Sequence, residues 1–364
     1  MVVRMLPLEA GDHKFMRAAL AEARKGVGHT SPNPAVGAVI VKNGRILARG
    51  HHRAAGQPHA EIEAIRAAKN PAQLRGATIY VTLEPCSTHG RTPPCTEAIL
   101  RHGFARVVFG ATDPNPSHAG RAERLFREAG VAVASGVLPE ECAALNVAWN
   151  HWIVTRRPWV IAKCGMSLDG RIGSHPESRW ITSETSRAHA MRVRAEVDAI
   201  LVGGGTVRED DPQLTVRGIS GARQPWRVVW SQSGDLPASA RLFTDEHRDR
   251  TLTFVGQSLS DVLAELGRRE ITSVLIEGGG RTLGEAFDAR LVNRALFYMA
   301  PQILGGPVPA VGGRGVASAA AAPRLKNAAY HRLGPDVLIA GDVDFEIEPT
   351  RSTATSSKSP YQAR

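Results

Sequence analysis

The sequence predicts two α/β layered domains in tandem. Three observations carry this. The chain has 364 residues, about twice the roughly 150 of one domain. Apolar runs of strand length alternate with segments of helical spacing in both halves. Between the two series a helical segment runs into Arg156, Arg157 and Pro158, and the residue before a proline is biased out of the helical region.

In the first half, "DHKFMRAALAEARKG" has helical spacing with Asp12 as its N-cap. "AVGAVIV" is a buried strand, and Asn43 and Gly44 form a tight turn into the strand "RILARG". "HAEIEAIRAAK" is a helix, "ATIYVTL" a strand, "TEAILRHG" a helix ending at Gly103, and "RVVFGAT" a strand. "AERLFREAG" is a helix closed by Gly130, and "VAVASGV" is the last strand. One helix, "PEECAALNVAWNHWIV", leads out, giving domains over 1–152 and 153–349. The second series comprises the strands "WVIAKC", "DAILVGGG", "WRVVW" and "TLTFV", the helix "LSDVLAELGRRE", then "SVLIEGGG", "NRALFYM" and "DVLIAGD". The halves do not repeat one another. The polar, low-complexity tail 350–364 is expected to be disordered.

Composition narrows the class. The hydrophobic fraction is 43%, with Gly and Pro scattered, as in a soluble globular protein. No apolar run approaches the ~20 residues of a membrane span, and "MVVRMLPLEAGDHKF" lacks a signal-peptide core. Cys86, Cys95, Cys142 and Cys164 are too few for a disulfide scaffold, so the expected compartment is the cytoplasm. The net charge of +10 fits a nucleic-acid binder, an enzyme for phosphorylated substrates, or simply a solvated basic surface. Lys and Arg form no basic arm and alternate little with aromatics, which weakens the nucleic-acid reading.

The chemistry concentrates in "HAE" at 59–61 and "EPCSTHGRTPPC" at 84–95. Zinc favours thiolate and imidazole ligands, and a catalytic zinc keeps one position for water, whose pKa falls to about 7. His59, Cys86 and Cys95 supply such a set. Residues two apart do not share a helix face, so His59 and Glu61 serve one site only at a helix start, for which Pro58 is suited. Cys95 also opens a helix, whose positive end favours a thiolate. One His, two Cys and a proton-moving Glu is the zinc base-deaminase set. The second cysteine, however, stands nine positions after the first rather than three. A disulfide or two buried thiols would explain the cysteines alone, and a structural zinc could add His89. Neither gives Glu61 a task.

The sequence resembles the bifunctional deaminase/reductase family of riboflavin biosynthesis. The resemblance rests on "SPNPAVGAVIV", "HAE", "TLEPCSTHGRTPPC", "DPNP", "SLDGRI", "WIT", "VGGGTVREDDPQLTVR" and "LIEGGG", spread from about 12 to 341. The long Cys-to-Cys loop is that family's form. The resemblance implies a cytidine-deaminase-like three-layer domain followed by a dihydrofolate-reductase-like domain. It implies zinc on His59, Cys86 and Cys95, with Glu61 as proton shuttle, acting on the ring amino group of a phosphoribosylated diaminopyrimidinone. Asn33 matches a segment that grips the pyrimidine, though it can equally be a turn residue.

For the second domain, the residues alone say only that "LVGGGTV" and "LIEGGGRTLGEAF" put Gly-rich backbone at helix starts, where phosphate or a tight turn fits. The resemblance implies NADPH, with Gly165, Trp180, Thr206, Asp210 and Ser231 near the cofactor. The run Gly279, Gly280, Arg281, Thr282, Leu283, Gly284 and Glu285 completes that wall. Lys163, Ser178, Arg194, Leu214, Arg217 and Glu277 match substrate positions, with the arginines suited to its phosphate. "GSHPESRW" is shorter than the family's usual form, which bears on the register of Ser178. A homodimer is implied, with neither nucleic acid nor membrane as partner. The rival reading, a nucleic-acid deaminase with an accessory half, calls for the short P-C-x-x-C spacing and no "SLDGR".

Overall fold

The computed structural model describes residues 8–89, 93–116, 118–173 and 180–346. The expected tail and Ser178 lie outside them.

The first unit contains α1 (Asp12–Ala23), β1 (Gly37–Lys42), β2 (Arg45–His51), α2 (Ala60–Ala67), β3 (Thr78–Leu83), α3 (Cys95–Arg101), β4 (Arg106–Ala111), α4 (Arg121–Glu128), β5 (Ala132–Ser135), α5 (Pro139–Leu145) and α6 (Val147–Thr155). Its five strands are ordered β2-β1-β3-β4-β5. Asn43 and Gly44 turn β1 into β2 with φ of 50° and 71°, the left-handed pair a two-residue hairpin requires. Strand side chains alternate between faces, and here both faces are covered. Ala38, Ile40, Ile79, Val81, Val107 and Phe109 face one core, with α2, α3 and α4. Val39, Val41, Tyr80 and Val108 face another, with α1 and α5. This double burial explains why the strands read as continuous apolar runs.

Asp12 does not cap α1, whose cap is Gly11. Its carboxylate is buried and takes both Nη1 and Nη2 of Arg106 at 2.8 Å, with the Tyr80 hydroxyl at 2.9 Å. Burial alone would raise the Asp12 pKa, but the hydrogen bonds from Arg106, the Glu9 N–H and Tyr80, with the Arg106 charge, together outweigh it and hold it down.

The helix expected over "PEECAALNVAWNHWIV" is broken at Asn146, where φ is −119°. The reason lies far along the chain. Asn146 Oδ1 accepts from Ala35 N at 2.7 Å, and Nδ2 donates to Ala35 O at 2.9 Å. The side chain thereby replaces a strand partner for the segment entering β1. Asn146→Ala would leave both Ala35 groups buried and unpaired, at about 1–3 kcal/mol each. We expect a destabilisation of about 2–4 kcal/mol, measured as a lowered denaturation midpoint. The expected domain boundary at 152/153 falls inside α6, which ends at Thr155.

The second unit contains β6 (Trp159–Ser167), α7 (Glu184–Glu196), β7 (Ala199–Gly203), α8 (Gly204–Asp210), β8 (Trp226–Ser231), α9 (Arg241–Thr244), β9 (Thr251–Val255), α10 (Leu259–Arg268), β10 (Ser273–Ile276), α11 (Gly280–Asp288), β11 (Arg294–Ala300), β12 (Arg324–Leu333) and β13 (Asp336–Asp344). The eight strands are ordered β12-β13-β11-β6-β10-β7-β8-β9. Those from β11 to β9 pair in parallel, while β13 and β12 close one edge antiparallel. Ala199, Leu201, Val228, Val274 and Ile276 pack with α10 and α11 on one face. Ile200, Val202, Val229 and Leu275 meet the α7, α8 and α9 side. Strand β12 was not anticipated, because an edge strand need not be apolar and "RLKNAAYHRL" is mostly exposed. Among the described residues, no helix is long and apolar enough to cross a membrane.

Candidate functional site

His59 is the N-cap of α2, with extended backbone at φ −71° and ψ 164°. That conformation, not Pro58 within the helix, is what lets His59 and Glu61 serve one cavity. Cys86 follows β3, and Cys95 is the first residue of α3. His59 Nδ1 lies 3.4 Å from each sulfur, and one donor atom from each of the three residues lies within 4.8 Å of the others. Two sulfurs and one imidazole nitrogen at this spacing fit zinc. His89 is outside the cluster, 72% exposed and beside Glu97, so it is not a fourth ligand. All four cysteines are free thiols, so the disulfide alternative is not met.

The two sulfurs share hydrogen bonds that favour negative charge on Cys86. The Cys95 thiol and the Cys95 N–H, the latter at 3.2 Å, both donate toward Cys86, and His59 adds to this. These bonds draw Cys86 well below the usual thiol range, while the hydrogen bond to Cys86 and burial push Cys95 up. Glu61 is 3% exposed, and burial pushes its carboxyl up to about 7.

His59, Glu61 and Cys86 line a cavity of 320 Å³ together with Asn33, while Cys95 is fully buried. Asn33 Nδ2 is 3.1 Å from His52 Nε2, and His52 Nδ1 is 3.0 Å from the Pro58 carbonyl. A carbonyl only accepts, so Nδ1 carries the proton, Nε2 accepts from Asn33, and the amide is thereby oriented. His52, Asp113, Asn115 and His118 also line the cavity, and the sequence reading gave them no role. Burial raises Asp113 to about 6, and its Oδ1 accepts from Asn115 N at 2.8 Å. The dense polar string "DPNPSH" was the available signal.

A second cavity of 680 Å³ opens in the second unit. Lys163, Gly165, Trp180, Arg194, Thr206, Asp210, Arg217, Glu277 and Gly279 all line it. Arg194 grips Glu277 with two bonds of 2.7 and 2.8 Å and donates to Thr215 O at 3.0 Å. Lys163 Nζ lies 3.7 Å from Glu277 and 5.7 Å from the centre of the Tyr298 ring. Burial would raise the Glu277 pKa, yet Arg194 and then Lys163 hold it at about 2. Trp180 is 59% exposed, with Arg187 over its ring at 4.8 Å. The "SLDGRI" motif is a turn that pins the cavity rim: the Asp169 carboxylate accepts from Leu304 N at 3.1 Å and Gly305 N at 2.8 Å.

Other expected wall residues do not reach this cavity. Leu214 is buried in the core beside β7 and β8, and Leu283 in the core under α11. Ser231 is buried, its Oγ accepting from Gly234 N at 3.1 Å. Thr282 packs where a Cβ on Gly203 or Gly278 would collide with it. Gly280 and Gly284 lie against the backbone of Pro309 and Gly312, and Arg281 and Glu285 face solvent. On a helix only one face meets the cavity, so of this run Gly279 alone lines it.

Residues 158–339 match the family described as the RibD C-terminal domain, and residues 10–111 match the cytidine and deoxycytidylate deaminase zinc-binding region. The riboflavin biosynthesis protein RibD of Actinobacillus pleuropneumoniae is 39% identical over 357 residues, covering 90% of this chain and 94% of that protein. The form 1 structure of Acinetobacter baumannii RibD has a TM-score of 0.85 at 34% identity, covering 91% of this chain and 98% of that one. A diaminohydroxyphosphoribosylaminopyrimidine deaminase/5-amino-6-(5-phosphoribosylamino)uracil reductase from Thermotoga maritima has a TM-score of 0.81 at 35% identity, with the same coverages of 91% and 98%. The chain belongs to the RibD family of bifunctional riboflavin-biosynthesis enzymes, with a cytidine-deaminase-like zinc-binding domain followed by a reductase domain.

Proposed function

We propose that residues 1–152 hydrolyse the ring amino group of a phosphoribosylated diaminopyrimidinone, and that residues 153–349 reduce the ribosyl side chain of the product to ribityl with NADPH. The observation that carries this is the His59, Cys86 and Cys95 cluster with buried Glu61 on the same cavity. The activities named for the Thermotoga maritima relative support the substrate.

His59, Cys86 and Cys95 would hold zinc. A zinc ion supplies Lewis acidity that makes water a nucleophile at neutral pH. Glu61 takes a proton from the attacking water, protonates the ring nitrogen, and passes a proton to the departing amine, which leaves as ammonia. Asn33, turned by His52, grips the pyrimidine.

NADPH, when bound in the second cavity, would supply the hydride. Trp180 offers it an exposed ring, and Gly279, at the start of α11, offers backbone close to Thr206. Arg194 is committed to Glu277 and Thr215, so the substrate phosphate falls to Arg217. Lys163, held between Glu277 and the Tyr298 ring, meets the sugar. The homodimer and the cytoplasmic location belong to this proposal as well.

The test is to give the purified protein the diaminopyrimidinone phosphate with and without NADPH and identify products by mass. We expect the deaminated compound alone without NADPH and the ribityl compound with it. Unchanged substrate in both would overturn the reading.

A further inference from the structure

We propose that Glu270, a residue of the second domain, binds substrate in the deaminase cavity of the first. This rests on the deaminase reading above. Glu270 lines that cavity together with Asn33, Glu61 and, from α6, Trp149 and Trp152. Glu61 is buried and Glu270 is exposed, so Glu61 lies at the floor and Glu270 at the mouth.

The position is costly for this residue type. Glu270 follows the end of α10 at φ 60°, where its N–H reaches Gly267 O at 3.1 Å and Ile271 N reaches Leu266 O at 3.1 Å. This is the helix-ending turn in which glycine is preferred, because a Cβ is strained there. A carboxylate at a helix C-terminus also opposes the macrodipole. Two local penalties at one exposed residue on a cavity wall point to a task for the side chain.

The turn is held firmly against the first domain. Trp152 Nε1 donates to Gly267 O at 2.8 Å, and a Cβ on Gly267 would sit 2.1 Å from the Arg156 carbonyl. Asp198, 3% exposed, fixes the other side. Its Oδ2 accepts from Thr272 N at 2.8 Å and Thr272 Oγ1 at 2.7 Å. Its Oδ1 takes Arg223 Nη2 at 2.5 Å, and Arg223 Nε donates to Gly28 O at 3.0 Å. Gly28 opens the loop that carries Asn33. One buried carboxylate therefore braces both Glu270 and the Asn33 loop, and the first cavity is completed by the second domain.

With the pyrimidine at the floor, a carboxylate at the mouth accepts hydrogen bonds from sugar hydroxyls and turns the phosphate away. In the full-length enzyme, Glu270→Gly should raise the KM of deamination about tenfold and change kcat less than about twofold. Its melting temperature should hold or rise by about 1–2 °C as the backbone strain is relieved. Zinc content and NADPH-dependent reduction of the deaminated compound should not change. Glu270→Gln, which keeps an acceptor without the charge, should give an intermediate KM. An unchanged KM in Glu270→Gly, or a raised KM accompanied by a lowered melting temperature, overturns the proposal. A wild-type enzyme that fails to deaminate would instead overturn the parent reading, before any variant is compared.

Discussion

Glu61→Gln is expected to lose deamination by about 100- to 10,000-fold while retaining about one zinc per chain. Glutamine matches the shape of glutamate and offers one acceptor oxygen, but it cannot take up and release a proton at neutral pH. Glu61 sits in the first turn of α2, buried, two positions past the N-cap His59. The substitution removes a charge from a buried site and leaves the His59, Cys86 and Cys95 atoms where they are. Metal content should therefore hold, and the loss should fall in kcat. NADPH consumption with the deaminated compound should also hold, since the second cavity is lined by other residues. Metal analysis and the two separate assays check this. Loss of zinc in Glu61→Gln would mean that the carboxylate is part of the metal set. Retained deamination would mean that the proton moves through another group, and Asp113 on the same wall is the first alternative.

What the sequence could reveal follows from how local each feature is. His59 and Glu61 were legible because a spacing of two makes sense only at a helix start, and His59 is in fact the cap. Apart from the exposed edge strand β12, the strands of both units were legible because sheets covered on both faces leave continuous apolar runs. The break at Asn146 was not legible, since its cause is a pair of hydrogen bonds to Ala35, 111 residues away. Asp12 shows the same limit: a capping residue by pattern, it is used instead as the buried partner of Arg106. In the second cavity, resemblance located the segments but not the faces. Leu214, Thr282 and Leu283 lie in matching motifs, yet they turn into the core or against glycines. Glu270 carries no motif at all. Only the packing of α10 against α6 brings it to the first cavity.

Arg194→Ala is the variant with the largest expected effect on the second unit. Glu277 lies on the cavity wall with its carboxylate held by Arg194 at 2.7 and 2.8 Å and by Lys163 at 3.7 Å. Removing Arg194 strands most of that buried charge, which costs about 3–5 kcal/mol, and it frees Lys163 to collapse onto Glu277. Reduction should fall at least about 100-fold, with deamination retained at temperatures below unfolding. The wild-type pair also sets a pH signature. Glu277 has its pKa depressed from 4.5 to about 2 in the folded state. Its contribution is therefore fully present above the unfolded value and is lost as pH falls from 4.5 through about 2. Urea denaturation across that window should show a drop in stability that is smaller in Arg194→Ala, where Lys163 alone holds the carboxylate down. The double variant Arg194→Met with Glu277→Leu separates structure from chemistry. Replacing a buried ion pair by apolar groups of similar volume is often neutral or stabilising, so this variant should recover stability while reduction stays lost. Recovery of reduction along with stability would show that the pair only supports the fold, and Lys163 would then have to position the sugar without it.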